Sequence, residues 1–460
     1  MAQTNSRETL GSRLGFIFLS AGCAIGLGNV WRFPFITGQY GGAAFVLVYI
    51  IFLLLFTMPI MVMEFATGRA SQLSMTRSFT KLCPEHKVWS IWGYLAWAGN
   101  YVLMMFYTVV TGWMLSYTYY SLSGRLDGIS SEAAGKFFDG LLQSPGTLIF
   151  WMALAVLIGF CVCWSSLRGG VERITKWMMG CLLAIMIALA VRSVTLPGAG
   201  EGLAFYLKPN WSKFTANGLW TTIYAALGQA FFTLSVGQGG MAIFGSYISR
   251  DRSLTGEAMI VTGLDTFVAL TAGLIIFPAC FAYGINPGAG PGLLFVTLPN
   301  MFSFMPAGRI WGSLFFLFMS FAALSTVIAV FENIIAGYID LLGWSRQKAA
   351  LVTSLSILVL SVPCALGFNV WSGFAPLGEG SVVLDLEDFI VSDNVLPIGS
   401  VVYLLFCVTR YGWGWDNFVK EADEGKGAKF PKALRWYFTY IVPVVMLGII
   451  FMGYYDKFFK

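Results

Sequence analysis

Apolar segments long enough to cross a lipid bilayer recur along the whole chain, and they restrict its fold more than any other feature. A transmembrane helix needs about 20 consecutive, mostly apolar residues. Of the 460 residues, 57% are hydrophobic and only 11% are charged, which leaves almost no room for a soluble domain. The pattern predicts an all-α polytopic membrane protein with eleven transmembrane helices.

The basic residues indicate how these helices are oriented. Most Lys and Arg residues lie in alternate short loops, and cytoplasmic loops carry the excess of basic residues in membrane proteins. We therefore expect a multi-pass protein of the plasma (cell inner) membrane with a cytoplasmic N-terminus and, after an odd number of spans, an extracellular C-terminus. The net charge of +5 belongs to these loops and predicts no nucleic acid partner.

Cysteine and histidine give no sign of catalysis. The chain has eight cysteines and one histidine, and their spacing is typical of neither a metal site nor a disulfide framework. No obligate protein partner is predicted from the sequence. We expect a protein that is not an enzyme.

The first apolar segment contains a stretch that is unsuited to a continuous helix, residues 20–32 (SAGCAIGLGNVWR). Gly22, Gly26 and Gly28 weaken a helix, and Arg32 follows them at bilayer depth. Opened backbone inside a membrane is tolerated only where protein or a water-filled cavity satisfies it. The first span is therefore predicted to break here, around a ligand.

The sixth apolar segment carries a second interruption, residues 233–240 (TLSVGQGG). Because five spans separate the two segments, the sixth begins on the opposite side of the membrane from the first. Two broken helices in corresponding, inverted positions predict a 5+5 inverted repeat with a binding site at the midplane. The predicted organisation is a cytoplasmic tail (1–13), repeat 1 with spans 1–5 (14–194), an extracellular loop (195–218), repeat 2 with spans 6–10 (219–411), a cytoplasmic loop (412–435), and span 11 with the extracellular C-terminus (436–460).

Four ionisable residues fall inside predicted spans: Arg32, Glu64, Asp265 and Glu332. Each costs several kcal/mol if it is unpaired in lipid. We expect Glu64 and Glu332 to be structural, since carboxylates can accept from opened backbone N–H groups. Arg32 is expected to act as an outward gate, and Asp265 to face a cation.

Hydroxyl and amide side chains lie near both interruptions and in the eighth span. They are Asn29, Thr233, Ser235, Ser325 and Thr326. With opened carbonyls and a carboxylate they supply oxygen ligands for a small cation, while the N–H groups of the broken helices favour a carboxylate. This combination suits Na⁺ together with an amino acid.

These motifs carry a resemblance to a known family. AGCAIGLGNVWRFPF followed by YGGAAF, the later FFTLSVGQGG, and ALST in the eighth span resemble the neurotransmitter:sodium symporter family, which has the LeuT fold. The resemblance covers nearly the whole chain and is closest to the small bacterial eleven-span members that take several hydrophobic amino acids. It implies Na⁺-coupled amino acid uptake by alternating access.

The resemblance implies two sodium sites. The first would use the Ala24 carbonyl with the side chains of Asn29, Thr233 and Asp265. The second would use the carbonyls of Gly22, Ile25 and Ala322 and the hydroxyls of Ser325 and Thr326.

The resemblance also implies a substrate site, with the amine and carboxylate at the opened backbone and Tyr107 donating to the carboxylate. Gly26 stands where monoamine-transporting members have Asp, so the substrate should bring its own carboxylate and carry an apolar or aromatic side chain, as Trp, Tyr, Phe and Leu do. The implied substrate residues are Ala24, Gly26, Leu27, Gly28, Leu103, Tyr107, Phe232, Thr233, Ser235, Gly237, Gln238 and Val330.

Gates on both sides follow from the same resemblance. Outside, Arg32 would pair with Asp388, with Asp393 as the competing partner. Phe232 would close over the substrate with Tyr107. Inside, the implied gate residues are Arg7, Asp340 and Tyr247, of which the first two would form an ion pair.

Two departures from the family pattern lead to further expectations. Asp265 stands near a position that is commonly Asn in chloride-dependent animal members, and a fixed carboxylate there predicts chloride-independent transport. Proton antiport through the same group stays open.

Gly180 is the second departure, because it stands where proline is expected in the fifth span. Because glycine keeps the backbone N–H that proline lacks, we expect a helix that unwinds less often and releases Na⁺ inward more slowly.

Two other functions share the buried polar groups. An amino acid-gated channel would need a continuous polar pore. A non-transporting amino acid sensor of the same fold would be expected to carry an added signalling domain, and we expect none here.

Overall fold

The computed structural model describes residues 8–285 and 292–459, and this part of the chain is almost entirely helical. Eight of its helices are long and apolar enough to cross a membrane, and a bent pair at the N-terminal end makes a ninth. The long helix Val88–Leu122 and the interrupted pair Leu219–Thr233 and Gly240–Gly245 occupy the places of the predicted third and sixth spans. The total of eleven spans stays a prediction.

The helices are numbered here in chain order. They are α1 (Arg13–Ala24), α2 (Gly28–Gln39), α3 (Ala43–Ser71), α4 (Met75–Leu82), α5 (Val88–Leu122), α6 (Ser131–Leu142), α7 (Pro145–Trp164), α8 (Leu167–Val194), α9 (Ala199–Leu207), α10 (Trp211–Thr215), α11 (Leu219–Thr233), α12 (Gly240–Gly245), α13 (Leu254–Ala282), α14 (Leu293–Phe304), α15 (Gly308–Leu342), α16 (Arg346–Leu366), α17 (Val383–Val408), α18 (Trp415–Ala422) and α19 (Lys432–Phe459).

The first predicted interruption is confirmed between α1 and α2. Helix α1 ends at Ala24, and the next residue, Ile25, has an extended backbone (φ −72°, ψ 95°). Helix α2 begins at Gly28 with a π-helical turn that runs to Arg32, and the two helices meet at 56°. Such π-turns are frequent at functional sites. Both backbone irregularities therefore fall within the predicted stretch.

The second predicted interruption is confirmed between α11 and α12. Ser235, Gly237 and Gly239 all have positive φ, at 50°, 98° and 84°, a region that glycine enters without steric cost. The Glu64 carboxylate of α3 accepts from the backbone N–H groups of Gly237 at 2.9 Å and Met241 at 3.2 Å. Glu64 thus has the structural role predicted for it, because it satisfies donors that the broken helix leaves open.

Helix α15 lies at the centre of the molecule. It packs against α1, α5, α7 and α8, and most of its side chains are buried. Helix α19 lies at the edge, and many of its large apolar side chains are exposed. The two predicted long loops contain short helices: α9 and α10 lie within 195–218, and α18 lies within 412–435. Four helices, α3, α5, α13 and α15, surround the two breaks.

Candidate functional site

A buried cluster joins three of the residues predicted for the first sodium site. The Asn29 side-chain amide donates to the Asp265 carboxylate at 2.8 Å, and the Thr233 hydroxyl donates to the other carboxylate oxygen at 2.9 Å. All three side chains are almost fully buried. They come from α2, α11 and α13, so the two broken helices share one carboxylate. A charged group at this depth must be paired or bind a cation.

The groups predicted for the second sodium site converge between α1 and α15. The Thr326 hydroxyl lies 3.2 Å from the Gly22 carbonyl oxygen, and the Ser325 hydroxyl lies 3.4 Å from the Ile25 carbonyl oxygen. Both hydroxyls also lie within 3.5 Å of the Ala322 carbonyl oxygen. The extended backbone at Ile25 turns its carbonyl toward α15. Five oxygen atoms therefore gather at one point, which is the ligand type that small hard cations take.

The opened backbone after α1 faces Tyr107 of α5. The Leu27 N–H donates to the Tyr107 hydroxyl at 3.2 Å. A Cβ atom on Gly26 would lie 2.5 Å from that hydroxyl and 2.7 Å from the Thr326 hydroxyl oxygen. Only glycine leaves both hydroxyls accessible at this position. The arrangement offers backbone N–H and phenol O–H donors to an anionic group.

A cavity of about 470 Å³ extends from this point toward α17. Its lining is mostly apolar and aromatic. Nine of the predicted substrate residues belong to the lining, namely Ala24, Gly26, Leu27, Gly28, Leu103, Tyr107, Phe232, Ser235 and Gln238.

Three predicted substrate residues lie outside this lining. Thr233 points into the Asp265 cluster, and the Gly237 N–H is taken by Glu64. Val330 is fully buried in α15. Thr233 therefore lies with the groups that were predicted for the first sodium site, and the other two residues lie in the packing around the cavity.

Several lining residues were missed by sequence reasoning, among them Phe106, Val110, Phe138 and Phe368. The first two could have been found, because they continue the helical stripe that Leu103 and Tyr107 begin on α5. Phe138 lies on α6 and Phe368 follows α16. No local pattern in the sequence marks either of them.

The predicted outer pair between Arg32 and Asp388 is not formed in this conformation. Among the described residues Arg32 has no carboxylate partner within 4.0 Å, and its guanidinium lies 4.2 Å from the centre of the Phe232 ring. Asp388 accepts from the Ser392 hydroxyl at 2.6 Å. Asp393, the competing partner, pairs with Lys457 at 3.5 Å. Arg32 and Asp388 both line the same cavity, so the cavity separates the two sides of the predicted gate.

A polar network connects the residues at the end of the site that the sequence predicts to be cytoplasmic. The Tyr247 hydroxyl donates to the Glu332 carboxylate at 2.8 Å, and Arg346 donates to the same carboxylate. Glu332 is therefore ion-paired, which agrees with the structural role expected for it. The Asp340 carboxylate accepts from the Ser74 N–H at 2.5 Å. Arg7, the predicted partner of Asp340, lies outside the described residues.

Residues 8–13 lie across this end of the site. Arg13 pairs with Glu257 of α13 at 2.9 Å, and the Leu10 N–H donates to the Tyr247 carbonyl at 3.3 Å. Glu8 lies 3.5 Å from Arg346. These contacts connect the first described residues to α13, to the segment after α12 and to α16, at the end of the site that the sequence predicts to be cytoplasmic.

The fold and this site together define a polytopic membrane transporter, and comparisons with known proteins give its family. The Sodium:neurotransmitter symporter family matches residues 7–139 and 133–457. The chain belongs to this family.

Individual relatives are similar over their full length. An uncharacterized sodium-dependent transporter of Haemophilus influenzae is 34% identical over 96% of this chain and 97% of its own. A sodium-dependent transporter of Bacillus subtilis, YhdH, is 33% identical over 96% of each chain. The crystal structure of MhsT in complex with L-phenylalanine matches with a TM-score of 0.86 and 39% identity, covering 97% of this chain and 99% of that one.

These similarities establish the LeuT-type fold and the general activity. The protein is a sodium-dependent secondary transporter of the multi-pass membrane class, and it is not an enzyme. The family resemblance drawn from the sequence motifs is confirmed.

Proposed function

We propose that the protein imports hydrophobic and aromatic L-amino acids together with Na⁺ by alternating access. The observation that carries this proposal is the junction of Gly26, Leu27 and Tyr107 at the floor of an apolar cavity. MhsT, the similar protein of known structure, was crystallised with L-phenylalanine.

The substrate class follows from the charges around the break. Among the described residues that line the cavity, the acidic ones are Asp385 and Asp388, and both belong to the α17 side and not to the floor. Backbone N–H groups and the Tyr107 hydroxyl favour a carboxylate, so the ligand supplies its own anion. The aromatic lining from α5, α6 and the segment after α16 favours an apolar side chain. An amino acid such as Phe, Leu, Trp or Tyr satisfies both requirements.

Two sodium sites are part of this proposal. The first is the cluster of Asn29, Thr233 and Asp265 with the Ala24 carbonyl, next to the substrate break. The second is the group of carbonyl and hydroxyl oxygens between α1 and α15. Because the oxygen atoms of both clusters come from helices that a transport cycle must separate, bound Na⁺ stabilises the conformation in which they converge.

Chloride-independent transport is proposed from Asp265. This carboxylate is fixed by two hydrogen bonds beside the first sodium site. Its charge balances one Na⁺ without a mobile anion.

The gates complete the proposal. The N-terminus is cytoplasmic, Arg7 pairs with Asp340 there, and Tyr247 stabilises this closed side. Outside, Arg32 leaves the Phe232 ring and pairs with Asp388 when the cavity closes over the substrate. Exposed pairs of this kind contribute about 0–1 kcal/mol each, which suits a gate that opens in every cycle.

Uptake of labelled L-phenylalanine, L-leucine and L-tryptophan into proteoliposomes tests the proposal. An inward Na⁺ gradient should drive accumulation of all three, and replacing chloride by gluconate should leave the rates unchanged. An equal K⁺ gradient is the control. Equal uptake in the Na⁺ and K⁺ gradients would reject coupling to Na⁺, and no uptake of any of the three amino acids would reject the proposed substrate class. Loss of uptake in gluconate would reject chloride independence alone.

A further inference from the structure

Arg32 lies between two cavities, and each cavity is lined by one of the two acids that were predicted as its partner. The cavity of about 470 Å³ is lined by Arg32 and Asp388. A second cavity, of about 370 Å³ between α2, α11, α17 and α19, is lined by Arg32 and Asp393. The Phe232 ring, which the Arg32 guanidinium contacts, borders both cavities. Arg32 can therefore leave this ring toward either carboxylate.

A π-turn in α17 separates the two acids. Asp388 lies directly before this turn, Phe389–Val395, and Asp393 lies within it. In the proposed function, a pair between Arg32 and Asp388 closes the substrate cavity. A pair between Arg32 and Asp393 would instead hold the guanidinium at the second cavity. The two acids therefore compete for one cation.

In this conformation Asp393 is already paired with Lys457 of α19, at 3.5 Å. The Lys457 ammonium also lies 4.1 Å from the centre of the Phe389 ring, which belongs to the same π-turn. Both members of the pair are partly exposed, the lysine side chain by 31% and the aspartate side chain by 43%. Water therefore screens the pair, and its strength is comparable to that of the proposed pair between Arg32 and Asp388.

Other contacts hold the end of α19 against the π-turn. The Phe389 ring packs against the rings of Tyr454 and Phe458, with ring centres 5.8 and 5.7 Å away. The Tyr454 hydroxyl donates to the side-chain oxygen of Asn394. Since none of these contacts uses the Lys457 ammonium, we expect α19 to keep its position when that charge is removed.

We propose that Lys457 is a positioning residue for the gate, because by pairing with Asp393 it keeps Arg32 available for Asp388. Without the ammonium, Arg32 pairs with Asp393 in the substrate-free protein, and closure over the substrate has to break that pair first. Lys457 thus acts on the gate through Asp393 and not through the substrate. This inference rests on the proposed function, because it assumes that the pair between Arg32 and Asp388 closes the cavity.

A purely structural role for the pair of Lys457 and Asp393 predicts a different pattern of effects. If the pair only connects α19 to α17, removing either partner has the same effect, and removing both is no better than removing one. If Lys457 keeps Asp393 away from Arg32, the loss of Lys457 alone is harmful. Removing Asp393 from the same protein then restores the gate, which a double-mutant cycle detects.

The experiment measures equilibrium binding of labelled L-phenylalanine in saturating Na⁺ to Lys457→Met, Asp393→Asn, the double variant and the conservative Lys457→Arg. We expect Lys457→Met to bind about fivefold more weakly, which corresponds to an exposed ion pair at the upper end of its usual range. The other three should bind as the parent protein does, since Asp393 is either absent or still paired with a cation. Lys348→Met is the matched control, because the Lys348 ammonium of α16 lies at a similar distance, 4.2 Å, from the centre of the Trp344 ring. Its affinity should equal that of the parent.

Binding by Lys457→Met at the parent affinity would overturn the role of Lys457 and leave the proposed function intact. Equal weakening in Lys457→Met, Asp393→Asn and the double variant would also overturn it, since the pair would then only connect the two helices. If the parent protein itself bound no phenylalanine in Na⁺, the proposed function would fail, and the role of Lys457 with it.

Discussion

Among individual residues, Gly26 has the strongest influence on what the site can bind. The two hydroxyl groups that flank it, from Tyr107 and Thr326, leave no space for a side chain. In the proposed function these hydroxyls have different roles, since Tyr107 would donate to the substrate and Thr326 would bind the second sodium ion. If so, Gly26 brings the substrate carboxylate and the second sodium site next to each other.

Substitution Gly26→Ala should weaken binding of L-phenylalanine about tenfold or more, because its methyl group displaces Tyr107 or Thr326 from its contacts. Equilibrium binding of labelled phenylalanine in saturating Na⁺ measures the change. Gly263→Ala is the matched control, because a Cβ there has no atom within 4 Å. Unchanged affinity in Gly26→Ala would show that the carboxylate does not bind at this break.

In the proposed function, charge balance depends on Asp265. Its two hydrogen bonds hold the carboxylate between Asn29 and Thr233. In Asp265→Asn the first sodium ion loses its fixed counter-charge, so Na⁺-driven uptake should fall about tenfold in gluconate and recover in part when chloride is added. Glu132→Gln, an exposed change on α6, controls for the loss of one acid. Equal uptake by Asp265→Asn in both anions would contradict the proposed charge balance.

Sequence patterns predicted the residues at the centre of the site better than those at its rim. The groups around Gly26, Asn29 and Thr233 lie within the glycine-rich motifs, and the structure brings them together. The rim depends on contacts between distant segments. Arg32 makes a cation–π contact with Phe232, and Asp393 forms an ion pair with Lys457. The pairing of acidic and basic side chains changes with conformation. Sequence spacing therefore could not specify these pairs.

Among the helices, α8 is the one predicted to control access to the second sodium cluster. Its α-helical part runs without interruption from Arg173 to Val194. Gly180 lies in that part with open space around its Cβ position, and it keeps its backbone N–H. Less frequent unwinding of α8 and slower release of Na⁺ both stay predictions.

Substitution Gly180→Pro should accelerate inward Na⁺ release, because proline removes a helical N–H and promotes local unwinding. The rate of Na⁺-driven uptake into Na⁺-free proteoliposomes should rise several-fold. Gly180→Ala strengthens the helix without removing the donor, so it should be no faster than the parent. The hypothesis fails if the proline variant transports no faster than the parent.

Both broken helices could be predicted because glycine clusters and buried polar groups are local signals. The short helices within 195–218 and 412–435 could not be predicted, because these segments were recognised as loops only from the absence of a long apolar run. The π-turn Phe389–Val395 in α17 also has no sequence signature. Asp388 lies directly before this turn and Asp393 within it, so the turn sets the positions of both carboxylates on α17.

In the molecule as a whole, the two sides of the site differ. One side contains a cavity of about 470 Å³ between α5 and α17, whereas residues 8–13 and the Tyr247–Glu332–Arg346 network cover the other side. This asymmetry is what alternating access requires of one of its states. The family resemblance predicted such states, but a single sequence cannot specify which of them the folded chain adopts.

The decisive measurement is equilibrium binding of labelled L-phenylalanine to the purified protein. The Na⁺ concentration is varied, and K⁺ replaces Na⁺ to keep the ionic strength constant. It reports whether the two broken helices bind the amino acid and the ion together. Since both sodium clusters share helices with the substrate break, binding should require Na⁺ and should rise more steeply with Na⁺ than a single-site curve. Equal phenylalanine binding in K⁺ and in Na⁺ would contradict a shared site.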